Sequence, residues 1–174
     1  LIIATIIVYS QLHYIQTTKL GFNKDQVLVI DRAYALGNNV NALGVGSANG
    51  NSGSNVNAMG SASAVNNTAN NLNAFGVSAA EQNSGDVVNA LGFEAAKLNT
   101  GGDINAFGYQ AALLNSANSV NALGRYAANA NTAIHVNAFG NSAASQNVGQ
   151  SVNAFGNQAA NQNTGTAVNA MGQQ

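Results

Sequence analysis

The chain has 174 residues and a formal net charge of −1, with five Lys and Arg and six Asp and Glu side chains in all. So few cations leave no footprint for nucleic acid, and the absence of Cys excludes disulfides, thiolate metal sites and a cysteine nucleophile. Of 30 Asn, 29 lie from Asn38 onward, among 19 Gly and no Pro. Such a composition belongs either to a disordered chain or to close-stacked β coils, and regularity separates the two.

Leu1 to Tyr9, LIIATIIVY, is an uninterrupted apolar run that stops at Ser10 and Gln11. It is shorter than the ~20 residues a membrane-spanning helix needs. It reads either as the outer end of a truncated membrane helix or as a buried strand rich in Ile and Val. Its position at the start of the chain and the polar SQLHYIQTTK around its exit favour the helix, over Leu1 to about Lys19. It is not a signal peptide, because no basic stretch precedes it and no small-residue cleavage site follows. Gly21 and Asn23 then supply turn chemistry, and Gln26 to Ile30 reads as a short strand.

This succession, with LGFNKDQVLVI at residues 20–30, resembles FtsX/MacB-type ABC-transporter permeases where the first membrane helix enters the periplasmic domain. The resemblance covers residues 1–36 and implies a membrane anchor in the cell envelope. The other parts of a permease are missing, so transport by this chain alone is not expected. The chain opens on Leu1 and stops at Gln174 inside a repeat, and both ends are expected to be truncations.

From Val40 a period of sixteen takes over. Asn41, Asn57, Asn73, Asn89, Asn105, Asn121, Asn137, Asn153 and Asn169 keep it without a slip. Each follows Val, Leu or Ile and precedes Ala, then Leu, Met or Phe, then Gly; a second Asn returns ten positions later, from Asn51 to Asn163. Disorder does not hold such a register, and sixteen residues are too few for a helical hairpin repeat of about 34. The expected fold is all-β: a β-solenoid (β-roll) over residues 37–174, about eight and a half coils of sixteen residues, preceded by the short N-terminal helix and permease-like segment of residues 1–36. The strand Val-Asn-Ala-Leu/Met/Phe is closed by a Gly at positive φ. The Ala pairs, such as Ala79-Ala80, Ala95-Ala96 and Ala111-Ala112, read as a second strand. At ~4.8 Å per coil the rod is about 40 Å long.

Stacked at that spacing, the Asn amides can donate to the next coil and accept from the previous one, a structural ladder. Strand alternation puts Val and Ala on one face and Asn and the Leu, Met or Phe on the other. Both faces then carry apolar rows, and one thin coil buries only one of them. The second row implies another copy of the chain, a homotrimer being the favoured assembly.

The stretches VNAFGNSAASQN and VNALGFEAAKLN resemble the head repeats of YadA-like trimeric autotransporter adhesins and related phage tail-fibre repeats. The resemblance spans residues 40–172 and implies a trimerising left-handed β-roll on a cell surface. A coil of sixteen residues, and Asn where that family often has Val, are the departures.

Chemistry is sparse. His13 and His135 sit in different modules and suggest no metal pair. GVGSANG at residues 44–50 does not match a dinucleotide loop. Asp86 and Asp103 are too few for calcium-binding coils. No catalytic set and no cofactor site is read from the sequence. The candidate contact patch is Phe93, Tyr109, Arg125 and Tyr126, where other coils carry small or polar residues; aromatic faces beside charged and amide groups suit a carbohydrate or a host protein surface. The reading is a non-enzymatic structural or adhesive repeat protein. The alternatives are a MacB-like permease fragment fused to repeats, and an amyloid-type fibre subunit.

Overall fold

The computed structural model describes residues 39–173. The helix expected over Leu1 to Lys19, the strand Gln26 to Ile30 and the permease-like segment lie outside the described residues. Among the described residues no helix is long and apolar enough to cross a membrane.

One strand recurs in every coil: β1 (Val40–Leu43), β2 (Val56–Met59), β3 (Leu72–Phe75), β4 (Val88–Leu91), β5 (Ile104–Phe107), β6 (Val120–Leu123), β7 (Val136–Phe139), β8 (Val152–Phe155) and β9 (Asn169–Met171). They form a single parallel sheet in chain order. Each residue pairs with its equivalent one coil on, Asn57 with Asn73 and Ala58 with Ala74, so the period of sixteen in the sequence is the pairing register. Val56, Leu72, Val88, Ile104, Val120, Val136 and Val152 are buried completely, as are the strand Ala residues behind them. The expected alternation therefore holds, with Val and Ala inward and Asn and the bulky residue outward.

The second strand does not form. The Ala pair lies in a continuous run of turns, with left-handed backbone at every other residue: Ser78 (φ 53), Ala80 (φ 53) and Gln82 (φ 54) in one coil. An extended strand would turn its two Ala side chains to opposite sides. Here Ala79 and Ala80 are both fully buried, which requires the chain to curl around them. The amides from Ser78 to Gln82 are nonetheless all paired. The left-handed residues bond between coils: Ser78 N–H donates to Ser61 O (2.9 Å), Ala80 N–H to Ala95 O (2.8 Å) and Gln82 N–H to Val65 O (2.7 Å). The residues between them close turns inside the coil, Ala79 N–H to Gly76 O and Glu81 N–H to Ser78 O. Ladder and turn thus share one segment.

The core is thin, its largest wholly buried side chains being Leu72 and Ile104. In the first two coils Ser47 and Ser63 replace the first Ala of the pair, and their hydroxyls donate to Ala58 O (3.0 Å) and Ala74 O (2.8 Å). The Gly after each strand does have positive φ, as expected. It also stacks on its equivalents: a Cβ on Gly108 (φ 138) would stand 2.5 Å from Gly124 O of the next coil.

Candidate functional site

Two Asn ladders run the length of the rod in opposite directions. In the outer one, on the solvent side of the sheet, each Nδ2 donates forward to the Oδ1 one coil on, from Asn41 to Asn57 (2.8 Å), through Asn89 to Asn105 (2.9 Å), to Asn153 to Asn169 (2.8 Å). This is the ladder expected from the sequence, through Asn73, Asn121 and Asn137 as well. The inner ladder is buried completely from Asn51 to Asn147. Its Nδ2 donates backward, Asn99 to Asn83 (2.8 Å) and Asn115 to Asn99 (2.8 Å). The second hydrogen goes to the carbonyl two residues on, as from Asn99 to Gly101 O (2.7 Å). Among the described residues no buried side-chain nitrogen or oxygen lacks a partner. The recurrence of these second Asn residues was visible in the sequence, but no pattern there marks them as buried.

The remaining face is apolar and open. The bulky strand residues form an outward row: Met59 (44% exposed), Leu91 (49%), Phe107, Leu123 and Phe155, with Phe75 and Phe139 half-buried between them. Phe139 and Phe155 stack face to face, with centroids 4.9 Å apart. Across the Gly, Val45, Val77, Phe93 and Tyr109 form a second exposed row. One residue, the Gly, separates the rows along the chain, so their Cα atoms lie within about 7 Å of each other.

The structure brings all four residues of the sequence-predicted patch together. Phe93 and Tyr109 stack with centroids 5.1 Å apart and planes within 9°. Tyr126 meets Tyr109 edge-on at 5.5 Å. The guanidinium of Arg125 lies 4.7 Å from the Tyr126 ring centroid and 5.6 Å from that of Tyr109. The ring faces of Phe93 and Tyr109 are thus turned to each other along the rod and their edges to solvent. Alongside, Lys97 sits between Glu81 (3.0 Å) and Glu94 (3.1 Å), and Gln110 donates to Glu94. The Gln110 hydrogen bond, then Lys97, holds the Glu94 carboxyl below its ordinary pKa; the bond to Glu81, then Glu94, holds the Lys97 ammonium above its own, both against the opposing effect of burial.

Sequence reasoning placed this patch in the middle coils but missed that the charge of the solenoid is confined to the same band. Every Lys, Arg, Asp and Glu of the solenoid lies between Glu81 and Arg125, and so do all its aromatic residues outside the strand row except Tyr126, the very next residue. Drift at tolerant surface positions would scatter along the whole rod. Among the described residues no group of three His, Asp or Glu could hold a metal ion. In comparisons with protein-family models, with curated proteins and with solved structures, nothing matches this chain.

Proposed function

We propose that this chain is a non-enzymatic structural rod of a cell-surface adhesin or fibre, and that it works as a homotrimer joined along the outward apolar row. One observation carries the reading: the row from Met59 to Phe155 faces outward although the inward Val, Ala and Asn residues fill the core without it. A four-residue strand about 13 Å wide, repeated over some 40 Å, makes a face of roughly 500 Å² on each copy. Two such faces together reach about 1,000 Å², near the lower bound of a specific interface. The outer Asn ladder shares that face, and the apolar row beside it runs unbroken from coil to coil, as a contact surface does. The apolar opening Leu1 to Tyr9 and its permease-like continuation support an anchor in the cell envelope. Analytical ultracentrifugation of the chain at micromolar concentration tests the assembly: a discrete species of three chains is expected, and a compact monomer overturns the reading.

A second reading has its own support. In-register parallel strands with Asn ladders are the stacking mode of amyloid fibres, which makes a fibre subunit the alternative. Unlimited growth with thioflavin binding, in place of a discrete trimer, would favour it.

A further inference from the structure

A rod of repeating coils has a difficulty when it binds a copy of itself. Shifting one copy along the other by two coils places Phe75 where Phe107 was, Leu91 where Leu123 was and Phe107 where Phe139 was. The outward row loses only its overhanging ends by such a slip. Register is weakly specified wherever neighbouring alignments present equivalent faces. A staggered pair also leaves uncovered row at both ends, and a contact that does not close on itself propagates into a filament. Something other than the row has to select the closed, in-register assembly.

We infer that the band from Glu81 to Tyr126 is a register key for self-association, and that its occupant is the same band of a second copy. This rests on the self-association proposed above. Phe93 and Tyr109 stand beside the outward row, across the Gly, at the level of Leu91 and Phe107. A two-coil slip would set Phe93 against Arg125, Glu94 against Tyr126 and Tyr109 against Asn141. The stacked and cation-capped groups of each copy would then meet unlike partners. In register, like levels meet and the rods end together. The band is confined to the middle of the rod, where it is carried past its counterpart by a slip in either direction. The ring faces of Phe93 and Tyr109 are turned along the rod, the Arg125 guanidinium lies over the ring of Tyr126, and Glu81, Glu94 and Lys97 are paired within the chain. A second copy, whose groups stand at the same heights, fits that arrangement better than a carbohydrate does.

The test uses the absence of native Cys. Met59 and Leu91 lie in the outward row two coils apart. Full chains carrying Met59→Cys and differently tagged chains carrying Leu91→Cys are mixed, reassembled and oxidised. With the native band, disulfides form between like chains, and the mixed product is at least about tenfold rarer, a preference of about 1.4 kcal/mol. The band is then erased by giving its positions the residues of the coil at 141–151: Glu81→Ser, Asp86→Gln, Phe93→Asn, Glu94→Ser, Lys97→Ser, Asp103→Ser, Tyr109→Asn, Gln110→Ser, Arg125→Asn and Tyr126→Ser. These residues are already accommodated at equivalent places, and circular dichroism checks the fold. A smaller variant, Phe93→Asn with Tyr109→Asn, repeats the test with only two changes. In the erased chain the mixed disulfide should rise to the level of the like ones, and sedimentation should show staggered, polydisperse assemblies. An erased chain that stays in register overturns the key and leaves self-association standing. An erased chain that is folded but monomeric overturns it too, because the band would then supply affinity rather than register. A monomeric native chain overturns both.

Discussion

Asn serves two different purposes in this rod, and environment separates them. Asn99 is wholly buried and its amide is satisfied by Asn83, Asn115 and Gly101. Asn99→Ala strands all three partners away from water, and should cost about 2–4 kcal/mol in chemical denaturation. Asn105 makes equally short bonds to Asn89 and Asn121 but is only half-buried, so water replaces what Asn105→Ala removes. The loss there should stay below about 1 kcal/mol. A larger loss at Asn105 than at Asn99 would reverse the assignment of core and surface ladders. Val87 offers the opposite case. It is β-branched yet left-handed (φ 58), where the two preceding coils place Asn55 and Asn71, bonded to each other at 3.1 Å. Val87→Asn relieves that conformation and extends the ladder by one member, and should stabilise by about 1 kcal/mol.

The charged cluster gives a pH dependence of definite sign. The Glu94 carboxyl titrates below its ordinary value, so its contribution is present above pH 4.5 and fades as the pH falls through the lowered value. Lys97 titrates above its own, so its contribution persists below pH 10.5 and is lost as the pH rises further. Lys97→Met should abolish the alkaline dependence and only weaken the acid one, because the Gln110 hydrogen bond to Glu94 remains, as measured by denaturation midpoints across that range.

At the scale of one coil, the strand and the turn run fail differently. The Gly after the strand is needed twice over, for its positive φ and for contact with the next coil. Gly108→Ala meets Gly124 O at 2.5 Å, and backbone must move to accept it. A loss of at least about 2–3 kcal/mol is expected. Hydrogen exchange should then place the weakened amides in the coils on either side of the substitution, and protection unchanged there would mean the stack absorbs the clash. In the turn run, by contrast, the left-handed residues are Gly only at Gly46 and Gly50 of the first coil, and elsewhere Ala, Ser, Gln, Glu, Asn, Leu or Tyr. From Ala62 to Gln158 each is held by a backbone bond to a neighbouring coil, which offsets a conformational cost of about 1 kcal/mol per residue.

Across the whole rod, each coil touches only the coils before and after it, and stability is a sum of such neighbour terms. Removing residues 141–156, one full period, rejoins equivalent backbone and should leave a folded rod shorter by one coil. Removing residues 141–148, half a period, brings the turn run against a strand and should unfold the coils around the cut. Circular dichroism and exchange protection distinguish the two; equal tolerance of both deletions would contradict a register fixed at sixteen. Phe107→Asp puts a charge in the outward row and leaves Ile104 and Ala106, the buried residues of that strand, unchanged. Folded monomers are its expected result, seen by sedimentation, while unfolding would mean the row supports the coil itself.

Much of this was decided by sequence alone, for a physical reason. Residues that recur at one spacing must meet one environment in a stack of equivalent coils, so the period of sixteen dictated coil length, strand pairing and the outer ladder from Asn41 to Asn169. Alternation within four residues dictated which strand side chains face inward. The conformation of the other half of the coil followed no such rule. Ala80 has no intrinsic preference for φ 53; it adopts it because Ala95 O and the buried neighbouring Ala leave its N–H one partner, above it in the stack. The burial of Asn99 and the turning of the Phe93 and Tyr109 faces toward each other likewise depend on atoms one coil away. A repeat states which residues are equivalent, but only the stacked structure decides what each equivalent set touches.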